Sequence, residues 1–158
     1  INGWCIGGGL DLISACDLRV CDAKAKFSLR ETRIAIVADL GSLQRMPHIV
    51  GEAKTRELAY TGRDFDAAYA KEIGLVNEIF ATREKSLEGA QSLAREIAQN
   101  PPLTVRGVKK VLSQRIHSEL QEGLDYVATW NSAFIQSEDL AEAMTAFMER
   151  RAPEFKGR

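Results

Sequence analysis

Three carboxylates and a run of three glycines fall within the first 39 residues: Gly7-Gly8-Gly9, then Asp11, Glu31 and Asp39. A carboxylate takes up or releases a proton, so acids set among apolar or small residues are the working parts of general acid–base catalysis. Consecutive glycines let a backbone approach a ligand closely, because no Cβ stands in the way. Where a helix starts on them, its first N–H groups have no intrahelical partner and carry a partial positive charge. The combination describes a pocket in which a negative oxygen develops while nearby acids move protons.

Plain structural roles exist for the glycines, Asp39 and Asp11. Gly7, Gly8 and Gly9 also suit a tight strand-to-helix turn. Asp39 suits the N-cap of a helix beginning at Leu40, and Asp11 suits a helix face with a satisfied hydrogen bond. Nucleotide loops do not fit. The dinucleotide fingerprint needs a third glycine where this chain has Leu12, and no Gly-Lys-Ser/Thr is present.

The chain has 158 residues, the length of one domain, and an apolar fraction of 45%, enough for a core. Its net charge of -1 gives no basic field to attract nucleic acid. Arg106, Lys109, Lys110 and Arg115 form the one basic cluster, read as a solvated helix face. Cys5, Cys16 and Cys21 are odd in number and irregularly spaced, which argues against a disulfide framework and for a reducing compartment. Two histidines, His48 and His117, without Cys-x-x-Cys make a zinc site unexpected, and both read as surface or cap residues. No apolar run reaches membrane-spanning length, so no membrane insertion is expected, and no signal peptide is visible. The first residue is Ile1, in strand-like sequence, so we expect the C-terminal part of a longer subunit.

The elements that must hold the acids follow from pattern. Ile1 to Ile6 reads as a short buried strand and Gly9 to Cys16 as a helix. Leu18 to Cys21 and Lys26 to Leu29 read as strands. A helix from Leu40 is limited or bent by Pro47, and a second runs from Ile49 to Tyr60. Asp66 to Ile73 is a short helix before a strand at Leu75 to Phe80. Beyond lie helices: a stripe of Leu87, Ala90, Leu93, Ala94 and Ile97, one at Val105 to Leu112, one at Leu120 to Ile135, and a fourth capped by Ser137 with Ala141, Met144 and Phe147 inward. The chain thus divides into a mixed region, 1–80, and a helical region, 81–158, that covers a site or joins subunits.

The run Asn2-Gly3-Trp4-Cys5-Ile6-Gly7-Gly8-Gly9-Leu10-Asp11 resembles the signature of the crotonase superfamily, the enoyl-CoA hydratases and isomerases. The likeness continues through Ala15-Cys16-Asp17-Leu18-Arg19, Leu43-Gln44-Arg45-Met46-Pro47, Tyr60-Thr61-Gly62-Arg63 and Ala70 to Val76, and into the tail from Phe147 to Phe155. It implies an α/β fold: a crotonase-like spiral of strand–strand–helix turns, with residues 1–80 as the C-terminal part of that core, followed by a helical C-terminal region. It further implies an acyl-CoA thioester substrate, no cofactor beyond the coenzyme A of that substrate, no metal, and a homotrimer or dimer of trimers. Two backbone N–H groups of the family hold the thioester oxygen. Here Gly8 matches one of them, with Gly7 beside it, and the other is expected ahead of Ile1, with most of the adenine-nucleotide site.

The acids select a branch. Hydratases of the family carry glutamates at the positions of Asp11 and Glu31, and usually glycine at that of Asp39. Asp11, Glu31 and Asp39 together resemble the dienoyl-CoA isomerases of fatty-acid β-oxidation, which shift two double bonds from the 3,5 to the 2,4 positions. The resemblance implies Glu31 near carbon 2 and Asp39 near carbon 6, with Asp11 orienting the pair or serving the helix. Enoyl-CoA hydratase is the alternative, and an RNA- or protein-binding relative without activity is a more distant one. The expected compartment is mitochondrial or peroxisomal in a eukaryote, cytoplasmic in a bacterium. The end Phe155-Lys156-Gly157-Arg158 is not a Ser-Lys-Leu peroxisomal address.

Overall fold

Short strands with apolar inward positions alternate with helices over the first half of the chain. The computed structural model describes residues 1–157, apart from the side chains of residues 115–118. In order come β1 (Trp4–Ile6), α1 (Gly8–Ser14), β2 (Val20–Asp22), β3 (Lys26–Ser28) and a 3₁₀ turn at Glu31–Ile34. Next are α2 (Ser42–Val50), α3 (Glu52–Thr61), β4 (Phe65–Asp66), α4 (Ala67–Glu72) and β5 (Glu78–Phe80). Three helices complete the chain: α5 (Arg83–Ala98), α6 (Pro102–Phe134) and α7 (Glu138–Glu149).

β1, β3 and β4 form one sheet, with β1 parallel to β3 (Cys5 opposite Phe27) and β3 antiparallel to β4. β2 and β5 pair in parallel in a second sheet. The chain passes from the first sheet at β1 to the second at β2, returns for β3 and β4, and crosses again at β5. Leu10, Phe27, Leu29, Met46, Leu58 and Leu75 are buried between the sheets and α1 to α4. Phe27 stacks on Phe65 with ring centroids 5.5 Å apart. Full burial of each such side chain is worth about 1.5–3 kcal/mol, and this core fixes the ends of β1 and β3, where the glycines and Glu31 lie.

Several boundaries and roles differ from the sequence expectation. α1 starts at Gly8 rather than Gly9, and α2 starts at Ser42 rather than Leu40. Asp39 therefore does not cap α2. Gly41 is the N-cap residue, with φ 99°, and the bond to the first helical N–H comes from Asp11, whose Oδ1 accepts it from Ser42 at 2.9 Å. The two helices expected across 105–135 are one, Pro102–Phe134, because no Gly or Pro lies between Leu112 and Leu120 to stop it. In α7, Ser137 does cap Leu140, but Met144 and Phe147 are 53% and 79% exposed, and Ala143 and Ala146 face inward instead. Small residues let α7 sit close to the 3₁₀ turn, and the bulky ones are left outside. Leu87 in α5 is likewise exposed. His48 is exposed, its Nε2 3.0 Å from Glu119 on α6, as a surface histidine should be. The side chains of Arg115 and His117, and Arg158, lie outside the described residues.

Candidate active site

β1 delivers the chain to Gly7, whose φ of 53° with ψ of -120° is hostile to any L side chain. A Cβ there would also stand 3.1 Å from Oε1 of Glu31. The N–H of Gly7 donates to the Ser28 carbonyl at 3.0 Å, tying the bend to the end of β3. Gly8 is the first residue of α1, so its N–H has no partner within the helix, and Gly8 is exposed.

Glu31 follows β3 at the start of the 3₁₀ turn. The turn is fixed from outside: Thr32 Oγ1 donates to the Ala59 carbonyl at 2.6 Å, Arg30 pairs with Asp64, and Ser28 Oγ donates to the Gly62 carbonyl at 2.9 Å. The Glu31 carboxylate is thereby pressed against the glycine bend, with Oε2 buried and without a hydrogen-bond partner among the described residues. Burial pushes its pKa up, and the negative charges of Asp11 and then Asp39 push the same way. The N–H groups of Glu31 and Arg30 oppose the rise.

Asp11 is 3% exposed, on the inner face of α1. Asp39 lies in the loop between the 3₁₀ turn and α2, a loop bounded by two left-handed residues, Ala35 at φ 56° and Gly41 at φ 99°. Ala38 is buried and anchors that loop, while Asp39 and Leu40 are exposed. Arg45 Nη1 donates to the Leu40 carbonyl at 2.8 Å. The structure thus brings Asp11 and Asp39 each into electrostatic reach of Glu31, which lies against Gly7, with different settings: Asp11 buried and bonded, Glu31 half-buried with a free oxygen, Asp39 open. Among the described residues no three His, Cys, Asp or Glu side chains form a metal-binding group.

Asp11 has a measurable structural task. Replacing it with Ala leaves the buried Ser42 N–H unpaired, which costs about 1–3 kcal/mol, whereas Asn keeps an acceptor at the same place. Urea unfolding should show the Ala variant with a clearly lowered midpoint and the Asn variant close to the parent. If both lie at the parent midpoint, the cap carries no stability.

Local pattern pointed to Gly7, Gly8 and the acids, but not to Asn131. Its side-chain amide reaches the Asp39 loop from α6, accepting the Val37 N–H at 3.3 Å and donating to the Val37 carbonyl at 2.9 Å. An asparagine 94 residues beyond Val37 leaves no mark in the spacing near Asp39. A groove of about 860 Å³ lies at the other end of α1, lined from Ser14 onward with α2 and α6, and Asp11, Glu31 and Asp39 are not among its lining residues.

Residues 1–158 match the profile of the enoyl-CoA hydratase/isomerase family. Over 155 residues the chain is 50% identical to a peroxisomal Delta(3,5)-Delta(2,4)-dienoyl-CoA isomerase of Arabidopsis thaliana, covering 98% of this chain and 56% of that protein. It is 49% identical over 156 residues to the mitochondrial enzyme of that name from Dictyostelium discoideum, covering 99% and 53%. The chain therefore spans about half the length of these curated relatives. A crystal structure of a carnitinyl-CoA hydratase from Mycobacterium avium superposes with a TM-score of 0.93 at 31% identity, over 99% of this chain and 61% of that one. The α/β spiral with its helical C-terminal region is thus a known arrangement.

Proposed function

The chain belongs to the enoyl-CoA hydratase/isomerase family, and on that basis we propose that the complete subunit isomerises 3,5-dienoyl-CoA to 2,4-dienoyl-CoA. The observation that carries this reading is Glu31 against the glycine bend, its Oε2 buried and unpartnered among the described residues, within electrostatic reach of Asp11 and Asp39. The names of the Arabidopsis and Dictyostelium relatives support the same reaction.

Glu31 removes the proton from carbon 2, next to the thioester carbonyl. The electron pair moves through the two double bonds, with negative charge shared by the thioester oxygen. The N–H of Gly8, beside Gly7, donates to that oxygen. Asp39 delivers a proton to carbon 6, so the double bonds end at the 2,4 positions. Glu31 then holds the proton that Asp39 has lost, and exchange with water resets both. One carboxylate does not easily reach carbons 2 and 6 together, which is why two are needed. An oxyanion donor is worth about 2.7–4 kcal/mol of barrier and an acid or base about 10²–10⁴ in rate, so both devices matter. No cofactor beyond substrate coenzyme A enters this scheme. Exposed Tyr126, Trp130, Phe134 and Phe147 on α6 and α7 fit burial against other copies in a homotrimer or dimer of trimers. A mitochondrial or peroxisomal setting fits the relatives' names.

Incubating the complete subunit with 3,5-dienoyl-CoA and following ultraviolet absorbance of the conjugated product tests the reading. Conversion faster than hydration of crotonyl-CoA is expected. Rapid hydration with no diene conversion would replace it with a hydratase.

A further inference from the structure

We propose that Asn131, on α6, is a positioning residue that sets where Asp39 presents its proton. The proposal rests on the isomerase reading above. A side-chain amide that both accepts from and donates to one residue's backbone imitates a strand neighbour, and it fixes the peptide on either side of Val37 at once. Asp39 is two residues further on. The loop from Ala35 to Gly41 belongs to no helix or strand, so its course depends on such outside bonds. Holds on it include the Ile36 N–H bond to the Glu31 carbonyl, the Asn131 clamp at Val37, the burial of Ala38, and the Arg45 bond to the Leu40 carbonyl. Of these hydrogen bonds, the Asn131 pair comes from the helical region beyond residue 80.

The anchor itself is seated firmly. α6 crosses α2 so closely that a Cβ on Gly123 would stand 2.5 Å from Cγ of Gln44. Val127, one turn before Asn131, is 5% exposed, and Leu120 borders the Gly41 turn that begins α2. A helix held along that face is a rigid base for the clamp. Glu31 is held chiefly by β3 and by the Thr32 bond to Ala59, and the loop reaches it directly through the Ile36 N–H, which donates to the Glu31 carbonyl at 3.2 Å. The two acids are therefore held chiefly by different parts of the chain, and the Asn131 clamp at Val37 bears most directly on Asp39.

This division gives a readout that a general loss of stability does not imitate. In the complete subunit, Asn131→Leu removes both bonds, and Asn131→Asp removes the donor alone. A misplacement of about 1 Å in a reacting group costs on the order of 10² in rate. Diene conversion should fall by that order in Asn131→Leu with KM nearly unchanged, while deuterium uptake at carbon 2 from D2O, the step assigned to Glu31, stays within a few-fold of the parent. Asp39→Asn combined with Asn131→Leu should convert no more slowly than Asp39→Asn alone, because both changes act through one proton donor. Amide exchange at Val37 should speed up in Asn131→Leu whatever the substrate. Equal losses at carbon 2 and in conversion, or a double variant far slower than Asp39→Asn, would overturn the role. So would an Asn131→Leu subunit that converts the diene as fast as an active parent. A parent that never converts the diene overturns the isomerase reading itself, and the role with it.

Discussion

Glu31→Gln in the complete subunit should lower deuterium exchange at carbon 2 and diene conversion together, by about 10²–10⁴. No other described carboxylate combines an unpartnered buried oxygen with contact to the glycine bend. Gln fills the same space and cannot accept the proton. The parent's pH profile should carry the mark of this group. Its pKa is raised by burial first and by Asp11 and Asp39 after that, so activity should fall on the acid side at a pH above the ordinary glutamate value of about 4.3. The effect on stability has the opposite sense. The folded state holds this proton more tightly than the unfolded chain, so the group favours folding below its ordinary pKa, and that contribution is lost as pH rises through the raised value. Glu31→Gln should therefore melt higher than the parent at pH 7, with the gap closing below about pH 4. A variant that exchanges and converts like the parent would remove Glu31 from the chemistry.

How legible this site is in the sequence depends on the distance between the residues concerned. The glycine run is readable because backbone conformation is local: Gly7 needs a φ that other residues resist. The alternation of strands and helices is readable for the same reason, and Ser137 does cap its helix. The capping of α2 misleads because the nearest suitable acid, Asp39, is not the one that bonds. Asp11 bonds it across 31 residues, and a cap supplied by another helix leaves no spacing rule to detect. Released from that role, Asp39 is exposed. The stripes on α5 and α7 mislead differently. An apolar face says that something covers it, not what, and Leu87, Met144 and Phe147 are uncovered in this chain. The family resemblance supplies the meaning of the acids, while the Asn131 clamp is visible only in three dimensions.

Asp39→Asn should separate the two proton transfers. Conversion should fall by about 10²–10⁴, because an amide keeps the size and hydrogen bonding of the acid but gives up no proton to carbon 6. Exchange at carbon 2 should persist, since Glu31 and the Gly8 N–H are untouched. The loss of a negative charge near Glu31 has a second consequence with a definite sign. Asp39 is one of the causes that raise the Glu31 pKa, so removing its charge lowers that pKa, and the acid limb of the exchange reaction should move to lower pH. Protein-wide damage would lower exchange and conversion alike and would not shift the limb in this direction. If conversion is unchanged, the proton for carbon 6 comes from another group. If exchange falls as far as conversion, Asp39 serves by shaping the setting of Glu31 rather than by giving a proton. The asymmetry between the two rates, with the direction of the pH shift, is the signature of two acids dividing one isomerisation.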